Sequence, residues 1–271
     1  MKKIINNLLV TFLMFLPLRH AESQEAKTEK PATNIANSTK NLPFLNSLGM
    51  KFVPVPKTNV LFSIWDTRVC DYRAFAKETP TLHAKWTHPG FEQTNTDPVV
   101  WVSWLDAKAF CAWLTNKEQK EGKIPKNWEY RLPTDAEWSI AVGRGKYPWG
   151  NQWPPPNGAG NYYTDLKVDN YAYTSPVGSF PANEYGLYDM GGNVWQWCED
   201  LYQPKMNEPA VLEYYPSLKT IDPGDWYVVR GASFNLDDSW QMLSSFRLCD
   251  GSGGRLWDLG FRCVLAPKKA R

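Results

Sequence analysis

Between Trp65 and Trp257 this chain places fourteen tryptophans, half of them after Gly143, in stretches broken by Gly, Pro, Asn and Asp. Each indole brings a large apolar area and one N–H that needs an acceptor. Sustained 3.6-residue apolar periodicity is confined to two short segments, which excludes a simple helix bundle. Aromatic-rich irregular segments must therefore fold back on themselves and satisfy their own backbone, by internal hydrogen bonds or bound ligands. The stretch "GLYDMGGNVWQWCED" (186–200) states the problem most sharply, with a carboxylate, two adjacent glycines and an asparagine set among tryptophans.

With 271 residues, 43% of them hydrophobic, the chain can build one sizeable core. A formal net charge of +2 gives no support for a nucleic-acid groove, so nucleic acid is dropped as a partner. Lys2 and Lys3 precede an apolar run from Leu8 to Leu18, the length of a signal-peptide core and too short to span a bilayer comfortably. Residues 1–21 are read as an export signal, either removed or kept as an N-terminal anchor, with no other transmembrane span. The protein is then periplasmic or extracellular. Residues 22–41, poor in large apolar side chains, read as a disordered linker. A single domain follows over 42–267, with a basic tail at 268–271.

Apolar spacing predicts a helix over 68–79, with Val69, Tyr72, Phe75 and Ala76 on one face. A second starts after Ser103 as N-cap, with Trp104, Ala107, Cys111 and Leu114 on one stripe. A third is capped by Thr134, with Glu137 completing a capping box. The runs "WYVVRGASF" and "GFRCVLA" read as short strands. Five cysteines (Cys70, Cys111, Cys198, Cys249, Cys263) allow at most two disulfides, and spacing does not set a pairing. His83 and His88 flank Trp86 without a nearby carboxylate and read as loop residues.

The motifs "RLPTDAEW" (131–138), "YPWGN" (147–151), "SPVGSFPANEYGLYDMGGNVWQW" (175–197), "VVRGASF" (228–234) and "LGFRC" (259–263) occur in the order found in the sulfatase-modifying-factor family. That family contains the formylglycine-generating enzymes, and the chain resembles it from about Asn46 to Ala266. The resemblance implies an α+β fold with little regular secondary structure, the formylglycine-generating-enzyme-type variant of the C-type lectin-like fold. It also implies structural calcium. One site would use the side chains of Asn161 and Asp169 and the carbonyls of Tyr162 and Tyr171. A second would use Asp189, the carbonyls of Gly192 and Val194, and Gln196 where the family has an acid. Oxygen donors on a flexible loop suit a hard cation, although Asp, Asn and Gly are equally the material of ordinary turns.

Formylglycine-generating enzymes oxidise a cysteine of a protein substrate with oxygen and Cu(I), held by two cysteines shortly after the motif matching "RGASF". Soft Cu(I) selects thiolates. Here no cysteine lies between Arg230 and Leu248, and ungapped matching puts Leu236 and Gln241 at the two positions. Copper is therefore not expected, Cys249 could supply at best one ligand, and Cys263 resembles a structural cysteine of the family. Ser233 is the one weak catalytic candidate, having no histidine near it in sequence. The reading is an exported accessory or binding module whose cleft, lined by Trp101, Trp195, Trp240 and Ser233 beside Arg230, takes a protein or peptide, or a glycan. The alternative is an oxidoreductase that makes formylglycine with a different residue set.

Overall fold

The computed structural model describes residues 34–79, 83–203 and 223–269. The expected export signal and most of the expected linker lie outside them. The end of that linker is placed rather than free. Residues Ile35–Asn37 form a single 3-10 turn, Ile35 packs on the core, and the Lys40 ammonium donates to the Glu184 carbonyl at 2.8 Å.

Two small sheets carry the domain. The first has the order β1 (Phe44–Leu45), β2 (Lys51–Pro54), β3 (Leu61–Ser63), β9 (Val264–Pro267), β4 (Trp128–Arg131), antiparallel throughout. The second runs β7 (Leu248–Gly251), β6 (Trp226–Arg230), β5 (Trp195–Leu201), β8 (Leu259–Gly260), with β5 and β8 parallel. Only three residues separate β8 from β9, so Phe261, Arg262 and Cys263 bridge the sheets. All three are fully buried.

Three helices flank the sheets, and local chemistry fixes where each begins. In α1 (Val69–Glu78) the Arg68 backbone N–H donates to Asp71 Oδ2, and Val69, Tyr72 and Phe75 face inward. In α2 (Trp104–Lys120) the Asp106 N–H donates to Ser103 Oγ at 3.1 Å and the Ser103 N–H to Asp106 Oδ2 at 2.9 Å. Thr134 and Glu137 form the same reciprocal pair at α3 (Asp135–Ala141), where Arg131 also grips the Glu137 carboxylate bidentately at 2.7 Å. Such caps contribute about 1 kcal/mol each.

Residues 142–194 contain no strand and only one 3-10 turn, Thr164–Leu166. They are held from inside instead. Asn193, in the left-handed region at φ 61°, accepts from the Ser175 N–H at 3.0 Å, returns a bond to the Ser175 carbonyl at 3.1 Å, and donates its own N–H to the Asn161 carbonyl. The Phe234 N–H donates to its carbonyl. One asparagine thus closes three otherwise separate loops.

The buried thiols of Cys111 and Cys263 lie 3.6 Å apart, while burial lifts the Cys111 and Cys198 thiols well above the usual range. Protonated and enclosed, Cys198 behaves as a small apolar side chain.

Candidate functional site

The bridge residue Arg262 organises the centre of the molecule. Its guanidinium, 0% exposed, donates to Gln196 Oε1 at 2.7 Å, the Tyr188 carbonyl at 2.7 Å, the Asp189 carbonyl at 3.0 Å and the Ser63 carbonyl at 3.2 Å. Asp66 pairs with it at 3.4 Å. Gln196 completes the clamp: its amide donates to the Asp189 carbonyl at 2.7 Å, and its Oε1 also accepts from Trp138 Nε1 at 2.9 Å.

This geometry tests the two expected cation loops, and they differ. At the second, the Gln196 oxygen already accepts two hydrogen bonds, which uses both its lone pairs. A guanidinium lies against the same amide. Gln196 does not fit a calcium shell here, and Asp189 turns its Oδ2 to the Gly178 N–H at 2.8 Å. Gly192 and Val194 remain as backbone walls of the loop. At the first, Asn161 is fully buried and its Oδ1 has no hydrogen-bond partner, while its amide donates to the Tyr173 carbonyl at 2.7 Å. That donation fixes which end is oxygen. Asp169 accepts the N–H groups of Tyr162 and Tyr171 at 3.0 and 2.8 Å, one on each carboxylate oxygen. An orphaned buried oxygen beside an anchored carboxylate is a donor set a hard cation suits.

The residues expected to line a ligand cleft are placed differently. Arg230 is 1% exposed, not a cleft residue. Its guanidinium donates to the carbonyls of Ser244, Ser245 and Phe246 and to Ser139 Oγ, lies 4.5 Å over the Trp138 ring and pairs with Asp135. Ser233 is also buried, and its hydroxyl donates to Asp258 Oδ2 at 2.8 Å. Trp195 is buried against Phe246, and half-buried Trp240 meets the same ring at 5.2 Å. Trp101 carries the Lys85 ammonium 3.2 Å above its ring and donates Nε1 to the Pro89 carbonyl. Gln241 is buried and Leu236 half-buried. His83 Nδ1 accepts from the Lys85 N–H in a 3-10 turn, and among the described residues no His, Cys, Asp and Glu group could hold a metal by itself.

Sequence reasoning missed four residues that matter: Arg262, Asp66, Asp258 and Phe91. Next to Ser233 and Asp258, the rings of Phe234, Trp257, Phe91 and Tyr173 form a quartet. Phe91 and Tyr173 stack at 4.6 Å and 4°, and Phe234 meets Trp257 edge-on at 5.1 Å. Tyr173 is 43% exposed, so the quartet reaches the surface. Phe91 also walls a groove of about 530 Å³ with Trp86, His88, Arg73 and Glu92. A second cavity of about 370 Å³ lies against Trp149, Phe180 and Asp189.

Residues 29–267 match the sulfatase-modifying factor enzyme 1-like domain. The chain belongs to this family. It is 33% identical over 194 residues to the formylglycine-generating enzyme of Thermomonospora curvata, covering 66% of this chain and 59% of that protein. It is 35% identical over 198 residues to the inactive C-alpha-formylglycine-generating enzyme 2 of Mus musculus, covering 65% and 58%. The chain thus spans under two thirds of the length of both relatives. Among solved structures it resembles PvdO from Pseudomonas aeruginosa, with a TM-score of 0.57, 25% identity and coverage of 76% of this chain and 80% of that one. Variable protein 1 of Treponema denticola shares the fold at a TM-score of 0.58 and 22% identity, covering 77% and 84%. The expected α+β fold with little regular structure is the fold observed.

Electrostatics leaves a measurable trace. Burial raises the carboxyls of Asp66 and Asp258, and lifts Asp189 from 3.8 to about 6. Between these two values the folded chain holds a proton that the unfolded chain releases. Stability from this group is therefore full below about pH 4 and falls as pH rises toward 6. By linkage the loss at pH 7.5 is roughly 3 kcal/mol. Asp189→Asn should thus gain roughly 3 kcal/mol on the native protein between pH 4 and pH 7.5 in paired urea titrations. A difference that does not change with pH would contradict the assignment.

Proposed function

We propose that this chain is an exported family member without copper-dependent formylglycine chemistry, acting as a binding module for a peptide segment of a partner protein. The observation that supports the reading is that residues 231–248 contain no cysteine, and ungapped matching to the family's enzymes puts Leu236 and Gln241 where they would hold Cu(I) with thiolates. Neither side chain can ligate Cu(I). The buried, protonated thiols of Cys111 and Cys198 do not replace the missing pair. The name of the mouse relative indicates that loss of activity has a precedent within the family. The N-terminal apolar run supports export, and no helix among the described residues is long and apolar enough to cross a membrane.

The exposed face of the aromatic quartet and the adjoining groove supply the contact surface. Tyr173, Trp257 and Phe91 offer rigid rings of the kind that anchor interfaces, while Arg73 and Glu92 give the groove both signs of charge. The Ser233 hydroxyl, held by Asp258, braces this surface from beneath and is not an activated nucleophile. Calcium belongs to the proposal at Asn161 and Asp169, where it would bind through the Asn161 oxygen and the carboxylate and supply charge that holds the 161–171 loop.

Two experiments test the reading. Incubation of a cysteine-bearing sulfatase-type peptide with the protein, Cu(I) and oxygen should give no formylglycine by mass spectrometry above the copper-only control, with an authentic enzyme converting it in parallel. Conversion would overturn the loss of activity. For calcium, dialysis against EDTA should lower the melting temperature by about 5–10 °C, as expected for release of an ion at 100 times its Kd. Asn161→Ala should remove that dependence. An unchanged melting temperature would remove calcium from the proposal.

A further inference from the structure

Two of the five cysteines meet although 152 positions separate them in the chain. Cys111 lies on the buried stripe of α2 with Ala107 and Leu114, and Cys263 follows Arg262 in the crossing from β8 to β9. Their sulfurs are 3.6 Å apart, and the residues are 1% and 0% exposed. A disulfide bond is about 2.05 Å long, so roughly 1.5 Å of approach separates the two thiols from a bond. Small turns about the two Cα–Cβ bonds cover that distance.

The backbone on each side is held in place. The Ser63 N–H donates to the Cys263 carbonyl at 2.9 Å, and Thr115 Oγ1 donates to the Cys111 carbonyl at 2.8 Å. The pair therefore faces each other across two anchored elements. The other cysteines stand on other elements: Cys70 on α1, Cys198 on β5 and Cys249 on β7.

We propose that Cys111 and Cys263 are joined in a disulfide, closed by exchange with a disulfide oxidant, R–S–S–R, as the chain folds. One cysteine thiolate attacks the oxidant, whose S–S bond breaks, and a mixed disulfide forms as the first RS⁻ leaves. The second cysteine attacks the protein sulfur of that mixed disulfide, forming the Cys111–Cys263 bond and releasing the second RS⁻. The two cysteine protons end on the two leaving thiolates, so the pair gives up two electrons and the oxidant takes them. Exchange needs a thiolate and access, and the finished core supplies neither, so the bond closes while α2 docks on the crossing. Once closed it is shielded from reductants, and the oxidising compartment that export implies lets it persist.

The bond has a structural consequence. It closes a loop that contains β4, α3 and the whole of the second sheet, which strips much of the freedom of the unfolded chain. It also ties α2 to the residue beside Arg262. Neither sulfur lies in the 231–248 segment, so the inference is independent of whether formylglycine chemistry survives.

Refolding the full chain from urea into a buffer of reduced and oxidised glutathione tests the assignment, with iodoacetamide alkylation under denaturing conditions and peptide mapping by mass spectrometry. One disulfide joining Cys111 to Cys263 should appear, with Cys70, Cys198 and Cys249 alkylated. This protein should melt roughly 5–15 °C above the same chain refolded under a phosphine reductant. Cys111→Ala, which suits a helix interior, should melt alike after either refolding. The comparison on the native sequence stands by itself if that variant fails to fold. Cys111 and Cys263 both alkylated after oxidative refolding, a bond from either to another cysteine, or equal melting temperatures of the native sequence after the two refoldings would overturn the proposal.

Discussion

One buried guanidinium joins the irregular 186–194 loop to both sheets of this fold. Arg262 sits in the three-residue crossing from β8 to β9, so its backbone already belongs to both sheets. Its side chain then reaches back to Ser63 on β3, to Gln196 on β5, and to two carbonyls of the 186–194 loop. Arg carries five N–H donors in a rigid planar fork, against three on a lysine ammonium, and so can serve several fixed acceptors at once. In an irregular loop without strand partners, those carbonyls would otherwise be buried and unpaired, at about 1–3 kcal/mol each.

That clamp has consequences on either side. By occupying the Gln196 amide oxygen, it takes over one of the acceptors that a metal shell would have used at this loop. Its charge also pairs with buried Asp66 at 3.4 Å and offsets part of the burial that raises the Asp66 and Asp189 carboxyls. A second arginine repeats the device. Arg230 gathers the carbonyls of residues 244–246 over Trp138, whose indole N–H in turn meets Gln196. The tryptophans are thus spent as acceptor-seeking struts as much as apolar mass: Trp104 donates to the Cys198 carbonyl and Trp197 to that of Val102.

How much of this was legible depended on range. The three helices were, because Ser103 with Asp106 and Thr134 with Glu137 complete their capping within four residues. The strand β5 was not read, because Trp195 to Cys198 are all buried between β6 and β8, which removes the alternation that marks a half-exposed strand. Arg230 was taken for a ligand-binding residue because nothing local reveals that its acceptors lie fourteen to sixteen positions downstream. Arg262 gave even less warning, since its partners lie 66 to 199 residues away. Phe91 and Tyr173 meet across a similar distance. Motif order identified the scaffold, whereas the charge balance around Asp66 and Asp189 emerges only when the chain is folded.

The most direct test of this account is Arg262→Lys, which keeps the charge and removes the forked donors. The account predicts a loss of roughly 2–4 kcal/mol in reversible urea unfolding, from one or two buried acceptors left unpaired at about 1–3 kcal/mol each. Hydrogen exchange should accelerate together in residues 186–196, β3 and β5, while the amides of α2 keep their native protection under conditions where the variant remains folded. A lysine variant of native stability, with exchange unchanged in all three regions, would show that the sheets and loops hold without the guanidinium and would contradict its central place.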